Sequence, residues 1–434
     1  MNHPEQTARQ GSGAPQGAVP PRFDLAFVRA QFPAFSEPSL EGWAFFENAG
    51  GSYACRQVID RLDRYYRRTK VQPYFDYPAS RQAGDSMDLA YAELAGHLGV
   101  GADELVLGPS TTQNAAILSR ALHQTWSEGD EIVVSDQNHE ANAGCWHRLA
   151  ESGIVVRRWG IDPETGSLDP ESLEPLLGER TRLVSLPHCS NVVGEINPVA
   201  EIARRARGVG ATVVVDGVSY APHGLPDVGA LQAAGVDAYL FSLYKTYGPH
   251  LGAMTVRREL LDSLPNQSHF FHASQGRKKL LVAGPDHAQI AAATGVVVYL
   301  NAVHDHHFSD RPSSALERSR RVHDLFRDRE QRLLAPLLEF LARRDDVRVI
   351  GSLDARRRAP TVALLPLRRG VEELFTGLVD RRMMLGAGDF YGVRPLRAMG
   401  IPTDPGVVRL SFVHYTSEDD VERLVEALAA SLDA

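Results

Sequence analysis

Seven short apolar, β-branched runs recur between Glu104 and Arg257: ELVLG, EIVVS, GIVVRRW, TRLVSL, ATVVVD, AYLFS and GAMTV. Continuous rather than alternating apolar runs predict strands covered on both faces, and the helix-like stretches between them predict strand-helix-strand units. The expected architecture is therefore α/β, with a large domain built on a mostly parallel seven-stranded sheet. Turn chemistry falls at the breaks, as in PHGLPDVGA and ETGSLDPESLEP, where Gly, Pro, Asp and Ser concentrate. Beyond this array lie an apolar stretch from Ala288 to Leu300 and a charged, periodic segment from Glu317 to Arg344. Three more strand-like runs follow, DVRVI, TVALLPL and VVRLSFV, and then the amphipathic EDDVERLVEALAA. That order predicts a smaller α+β C-terminal domain. The expected division is a disordered tail over 1–22, an N-terminal helical segment over 23–45 packing on the small domain, a large domain over 46–300 and a small domain over 301–434.

Composition narrows the class. Of 434 residues, 43% are hydrophobic and 23% charged, which is globular and excludes wholesale disorder or a collagen-like chain. The net charge is −8, with 46 basic against 54 acidic side chains, so no global positive field exists to hold nucleic acid or an anionic membrane. Neither partner is expected. The opening MNHPEQTARQGSGAPQGAVPP has no apolar centre of a signal peptide, and Ala288–Leu300 is shorter than the roughly 20 residues of a membrane span. Cys55, Cys145 and Cys189 are an odd, sparse set that forms neither a disulfide framework nor a metal pattern. A reducing cytoplasm is the expected location, and no metal is expected.

Several chemically useful residues fall where strands end. In YLFSLYKTYGP, Lys245 follows an apolar strand and precedes a Gly-Pro turn, a place where an amine is desolvated and kept available for imine formation. In VLGPSTTQNAAILSRAL, the hydroxyls of Ser110, Thr111 and Thr112 surround the free backbone donors of a helix start, which suits a phosphate or a simple cap. No P-loop lysine follows, so nucleoside triphosphate hydrolysis is not favoured. In ATVVVDGVS, Asp216 stands at the carboxyl end of a strand, where open parallel sheets bind ligands. His139 in SDQNHEAN, and His188 with Asn191 in LPHCSNVVGEINP, occupy similar places. A ring that stacks and an amide that hydrogen-bonds suit a flat heteroaromatic ligand.

Taken in order, these motifs resemble the class V aminotransferase group of pyridoxal-phosphate enzymes, which contains cysteine desulfurases, selenocysteine lyases and isopenicillin N epimerase. The resemblance runs from about Phe46 to the C-terminus. It implies a pyridoxal-phosphate aminotransferase-like large domain as the cofactor-binding domain. It also implies that Lys245 carries the cofactor as an imine, that Asp216 pairs with the pyridine nitrogen and that His139 stacks on the ring. Asn191 resembles the Asn near the phenolic oxygen. Ser110 and Thr111 match the phosphate loop, and Ser242 matches a hydroxyl that helps to hold the phosphate. In VVRLSFV, alternation turns Arg409 away from the face of Val408, Leu410 and Phe412, and the resemblance makes Arg409 the substrate-carboxylate ligand. Asn48 is expected beside it. The group also implies a homodimer, with RKKLLVAGPDH as the segment that crosses between subunits.

Four departures change the expectation. The desulfurases carry Gln at the position of Ser219 and His at that of Tyr244, so the cofactor contacts are partly rebuilt, with the Tyr244 hydroxyl available to the phosphate. Pro285 stands where a Thr of the neighbouring subunit often completes the phosphate site. Most consequentially, LGAGDFYGVRPL occupies the loop that presents the desulfurase nucleophile, and no cysteine occurs after Cys189. Persulfide chemistry is disfavoured, since a phenol does not replace a thiolate. Tyr391 and Arg394 are then candidates for shaping the pocket or binding an additional acidic group of a larger substrate. The expected activity is a Cα-carbanion reaction on an amino acid or its conjugate, foremost a β-eliminating lyase acting on a C–S bond. Transamination, epimerisation and decarboxylating oxidative deamination share the same residues and stay open, and a non-catalytic scaffold would not need Lys245, Asp216 and Arg409 together.

Overall fold

Each of the seven apolar runs becomes a strand of one sheet: β1 (Leu105–Gly108), β2 (Glu131–Ser135), β3 (Val155–Trp159), β4 (Thr181–Pro187), β5 (Thr212–Asp216), β6 (Ala238–Ser242) and β7 (Gly252–Val256). The computed structural model describes residues 21–282, 284–310 and 314–433, so most of the expected tail lies outside the described residues. The strand order is β1-β7-β6-β5-β4-β2-β3, and only β7 runs antiparallel to its neighbours. Alternate side chains of single strands enter separate cores. Val213 and Val215 join Leu105, Val184 and Phe241 on one face, whereas Val214 joins Val106, Leu183 and Met254 on the other. That double coverage is the reason for runs without polar alternation. The exception is β3, an edge strand whose Arg157 and Arg158 face outward and pair with Glu131 and Asp136, which discourages further strand pairing.

The second domain is an antiparallel sheet of β8 (Val347–Ile350), β9 (Thr361–Pro366), β10 (Gly386–Gly388) and β11 (Val407–Ser411) in the order β10-β11-β9-β8. Leu337 and Leu341 of the 28-residue helix Ala315–Ala342, Leu374 of Val371–Asp380 and Leu424 and Leu428 of Glu418–Asp433 pack on Leu364, Leu410 and Phe412. Ala44 and Phe46 enter the same core, and Ala44–Phe45 pairs in parallel with Met383–Met384. The preceding segment touches both domains: Val28 and Phe32 are buried with Tyr247 and Tyr299, while Arg29 pairs with Asp420. The helix Thr294–His307 runs across position 300, so a continuous helix spans the expected domain boundary. Among the described residues no helix is long and apolar enough to cross a membrane.

Candidate active site

The carboxyl ends of β1, β2, β4, β5 and β6 and the start of β7 meet at one edge of the large sheet, and the polar residues converge there. The helix Thr111–His123 begins at this edge. Ser110 is its N-cap, accepting from the Gln113 N–H at 3.1 Å, and Asn114 Nδ2 donates to the Gly252 carbonyl at 3.0 Å. Gly252 makes that docking possible: a Cβ there would lie 2.3 Å from the Ser110–Thr111 backbone. Thr111 Oγ1 and Ser242 Oγ are 2.8 Å apart, and Ser242 also hydrogen-bonds Tyr244. These hydroxyls and backbone donors form one end of a cavity of about 220 Å³, into which His250 and Ser219 also face.

Asp216 closes β5 at the other end of that cavity. It is buried, accepts from the Val218 N–H at 2.9 Å and has no ion-pair partner among the described residues, and burial raises its pKa. Lys245 sits in the single turn Leu243–Lys245 that follows β6. The turn is held from outside: Ser52 N–H donates to the Tyr244 carbonyl, Tyr247 N–H donates to Ser52 Oγ at 2.7 Å, and Tyr247 takes a left-handed φ of 61°. Burial and the nearby Arg409 lower the Lys245 pKa to about 8, against the opposing pull of Asp216 and Glu47. Near physiological pH the amine is still mostly protonated, but its neutral fraction is far larger than that of a solvated lysine.

His139 is the N-cap of Glu140–His147, and its Nδ1 accepts from the Ala141 N–H at 3.0 Å, which leaves the proton on Nε2. Burial, with Lys245 and Arg409 nearby, lowers its pKa to about 3. A neutral ring fixed in this way suits stacking rather than proton donation. Asn191 Nδ2 donates to the Phe390 carbonyl at 2.9 Å while its Oδ1 is buried without a partner.

An outer cavity of about 680 Å³ continues past His139 and Lys245 to Glu47, Phe390, Tyr391 and Arg409. Arg409 is buried, donates to the Asn191 carbonyl at 3.2 Å and to Glu47 Oε1 at 2.8 Å, and lies 3.8 Å from the Phe390 ring centre. Arg409 Nε and Glu47 Oε2 have no partner. Asn48 sits behind this wall, donating to the Ser411 carbonyl and accepting from Tyr415, and does not line the cavity. Arg394 pairs with Glu140 and does not line it either. Tyr391 is at the mouth, 69% exposed, with its ring 5.5 Å from that of His139. His188 stacks on Tyr220 at 3.6 Å and bonds Tyr239 Oη, outside the cavity lining. Two cysteines reach the walls, Cys145 the outer cavity and Cys189 the inner one. Burial pushes both thiols up to about 12, which leaves them protonated.

Glu47, Phe390 and His250, with Glu140 and Arg148, are among the lining residues that the sequence analysis did not single out. Glu47 adjoins Asn48 in FFENAGG, the one local signal available; Phe390 and His250 have none beyond proximity to Tyr391 and Lys245. The residues fit pyridoxal phosphate on three counts. A buried carboxylate without a cation awaits a protonated pyridine, a buried lysine amine stands in the same cavity, and a helix start with hydroxyls offers neutral donors to a phosphate.

A doubly covered α/β sheet with a buried lysine and a carboxylate at its carboxyl edge defines a site of the pyridoxal-phosphate type. The sequence pattern described as Aminotransferase class-V matches residues 44–270. The chain belongs to the class V aminotransferase family, whose members use pyridoxal phosphate. It is 33% identical over 421 residues to the aminotransferase-like protein FGM3 of Gibberella zeae, covering 94% of this chain and 98% of that one. It is 30% identical to the cysteine desulfurase-like protein ustD of Aspergillus flavus, over 93% of this chain and 90% of that one. Its fold is similar to that of the apo cysteine desulfurase of Thermococcus onnurineus, with a TM-score of 0.81 over 96% of this chain and all of that one, at 21% identity.

Proposed function

We propose that this protein is a pyridoxal-phosphate lyase that removes the Cα proton of an amino acid or amino-acid conjugate and expels a Cβ substituent, foremost a thiolate, without a cysteine nucleophile. The observation that carries the reading is Lys245: a buried amine with its pKa lowered to about 8, lining both the inner cavity of Asp216 and the outer cavity of Arg409, opposite a loop with no thiol. When bound, the cofactor ring withdraws electrons from the Cα of the substrate amine.

Asp216 supplies the negative charge that keeps a pyridine nitrogen protonated, since an opposite charge in a buried site favours the charged form. His139 covers one face of the ring site and stays neutral while doing so. Asn191 and the hydroxyls of Ser219 and Tyr244 edge it, and Ser110, Thr111 and Ser242 hold the phosphate end. The substrate carboxylate binds the Arg409 fork, for which it competes with Glu47. Lys245, displaced by the substrate amine, takes the Cα proton on its Nζ, held in reach by its own tether. Phe390 and Tyr391 cover the outer side and limit water. Because Arg394 is engaged by Glu140, we assign it to holding the Tyr391 loop on the large domain, together with the Glu140 N–H bond to the Tyr391 carbonyl at 3.0 Å.

A homodimer completes the proposal. Tyr74, Phe75, Tyr77, Phe270 and Phe271 are all more than 40% exposed, and Phe270 is 87% exposed. Such aromatic surface suits an interface. The products test the reading. Incubation with amino acids and thioether conjugates should release pyruvate or another 2-oxo acid together with ammonia and free thiol. A 2-oxo acid with aminated cofactor would replace the reading by transamination, and deuterium entering Cα without cleavage would replace it by epimerisation.

A further inference from the structure

The phosphate end of the inner cavity is unusual in its charge. Its donors from Ser110, Thr111, Thr112, Ser242 and Tyr244 are all neutral, and Lys245 is committed to the cofactor's aldehyde carbon. A phosphate dianion held there by hydroxyls and backbone N–H groups alone would lack a cationic side chain. His250 is the exception among these lining residues, the one side chain at that end able to carry a positive charge.

The local sequence explains how it comes to be there. The resemblance to the desulfurases implies a His at the position of Tyr244 and a Thr of the neighbouring subunit at that of Pro285, and this chain carries neither. The turn from Lys245 through Tyr247, with its left-handed φ, and Pro249 brings His250 back to the start of β7, beside the strand end that carries Ser242. There its ring stands nearly perpendicular to the Tyr244 ring, at 79° with centres 4.7 Å apart. The phenol and the imidazole therefore share one corner of the cavity.

We propose that His250 is a phosphate-binding residue of this enzyme, returning from six residues downstream the imidazole that the tyrosine at position 244 displaced, with Tyr244 Oη and His250 forming a paired clamp. The ligand chemistry is the phosphate monoester of the cofactor. Tyr244 contributes a neutral hydroxyl oriented by Ser242, and His250 contributes a ring N–H donor. The pairing accounts for both replacements at once: the Tyr244 hydroxyl and the His250 ring together offer two donors at one corner of the phosphate end.

Cofactor binding, not turnover, tests this. Apoenzyme of native protein and of the His250→Ala variant is titrated with pyridoxal phosphate and, separately, with pyridoxal, following the visible band of the lysine adduct. Loss of a charge-assisted hydrogen bond should raise the Kd for pyridoxal phosphate by about tenfold or more. Affinity for pyridoxal, which lacks the phosphate, should not change. Adding Tyr244→His to His250→Ala should recover most of the lost affinity. Native-like affinity in His250→Ala, parallel weakening of both ligands, or a double variant no tighter than the single one would each overturn the proposal. None of these readouts depends on which reaction follows Cα deprotonation.

Discussion

Glu47 Oε1 accepts a hydrogen bond from Arg409 Nη2 at 2.8 Å, joining residues 362 positions apart across the outer cavity. The pair places a carboxylate of the protein where a substrate carboxylate is expected to bind. Two kinetic outcomes follow. Arg409→Lys keeps the charge but loses the planar fork, and should raise KM by about tenfold or more with a smaller effect on kcat. Glu47→Gln removes the competing charge while keeping an acceptor, and should lower KM a few-fold; a raised KM in Glu47→Gln would contradict competition at Arg409.

Lys245 sets the pH dependence of cofactor loading. Attack on the aldehyde requires the neutral amine, and its pKa is lowered to about 8 from the ordinary value of 10.5. The rate at which apoenzyme recaptures pyridoxal phosphate should rise with pH and level off above about 8. An inflection near 10 would mean that the amine is solvated.

Buried histidines set the acid limit of stability. Burial lowers His139 and His188 to about 3 and His414 well below its ordinary value. In the unfolded chain these rings take protons below about 6.5, and the folded protein does not accept them. The contribution is therefore fully present above pH 6.5 and lost as pH falls through and below it. Thermal melting of the apoprotein should move to lower temperature from pH 7.5 to pH 5, and a flat profile would show that the rings reach solvent.

The cysteines are predicted to be dispensable for chemistry. Cys145 and Cys189 touch the cavities, but both thiols are raised to about 12, and the loop at Asp389–Tyr391 carries none. Replacing Cys55, Cys145 and Cys189 together by Ala should leave turnover within a few-fold, apart from stability losses from the small voids. An essential cysteine that traps a persulfide would restore desulfuration.

The exposed aromatics Tyr74, Phe75, Phe270 and Phe271 lead to the quaternary prediction. Sedimentation should give a dimer, and Phe270→Glu together with Phe271→Glu should shift it towards monomer by placing charge in an apolar contact. A fully active monomer at working concentration would count against the shared interface.

The parts of this molecule that sequence made legible are those governed by local rules. Strands such as TVVVD read plainly because both faces are covered, and Asp216, Lys245 and Ser110 read plainly because strand ends and helix starts are marked by their neighbours in the chain. The Glu47–Arg409 pair did not, since no spacing rule connects two segments so far apart. Phe390 was equally hidden, although its neighbour Tyr391 was a candidate: both adopt left-handed φ, 52° and 56°, a turn that tertiary contacts hold and no local sequence rule marks. Arg394 shows the converse. Its charge suggested a substrate ligand, and the fold gives it Glu140 instead.

Lys245 is the residue we propose to carry the cofactor and to reach Cα. Reduction of the holoenzyme with borohydride, followed by proteolysis and mass mapping, should place the pyridoxyl group on Lys245 alone, in the peptide containing FSLYKTYGP. A pyridoxyl group on Lys278 or Lys279 with Lys245 unmodified would contradict it.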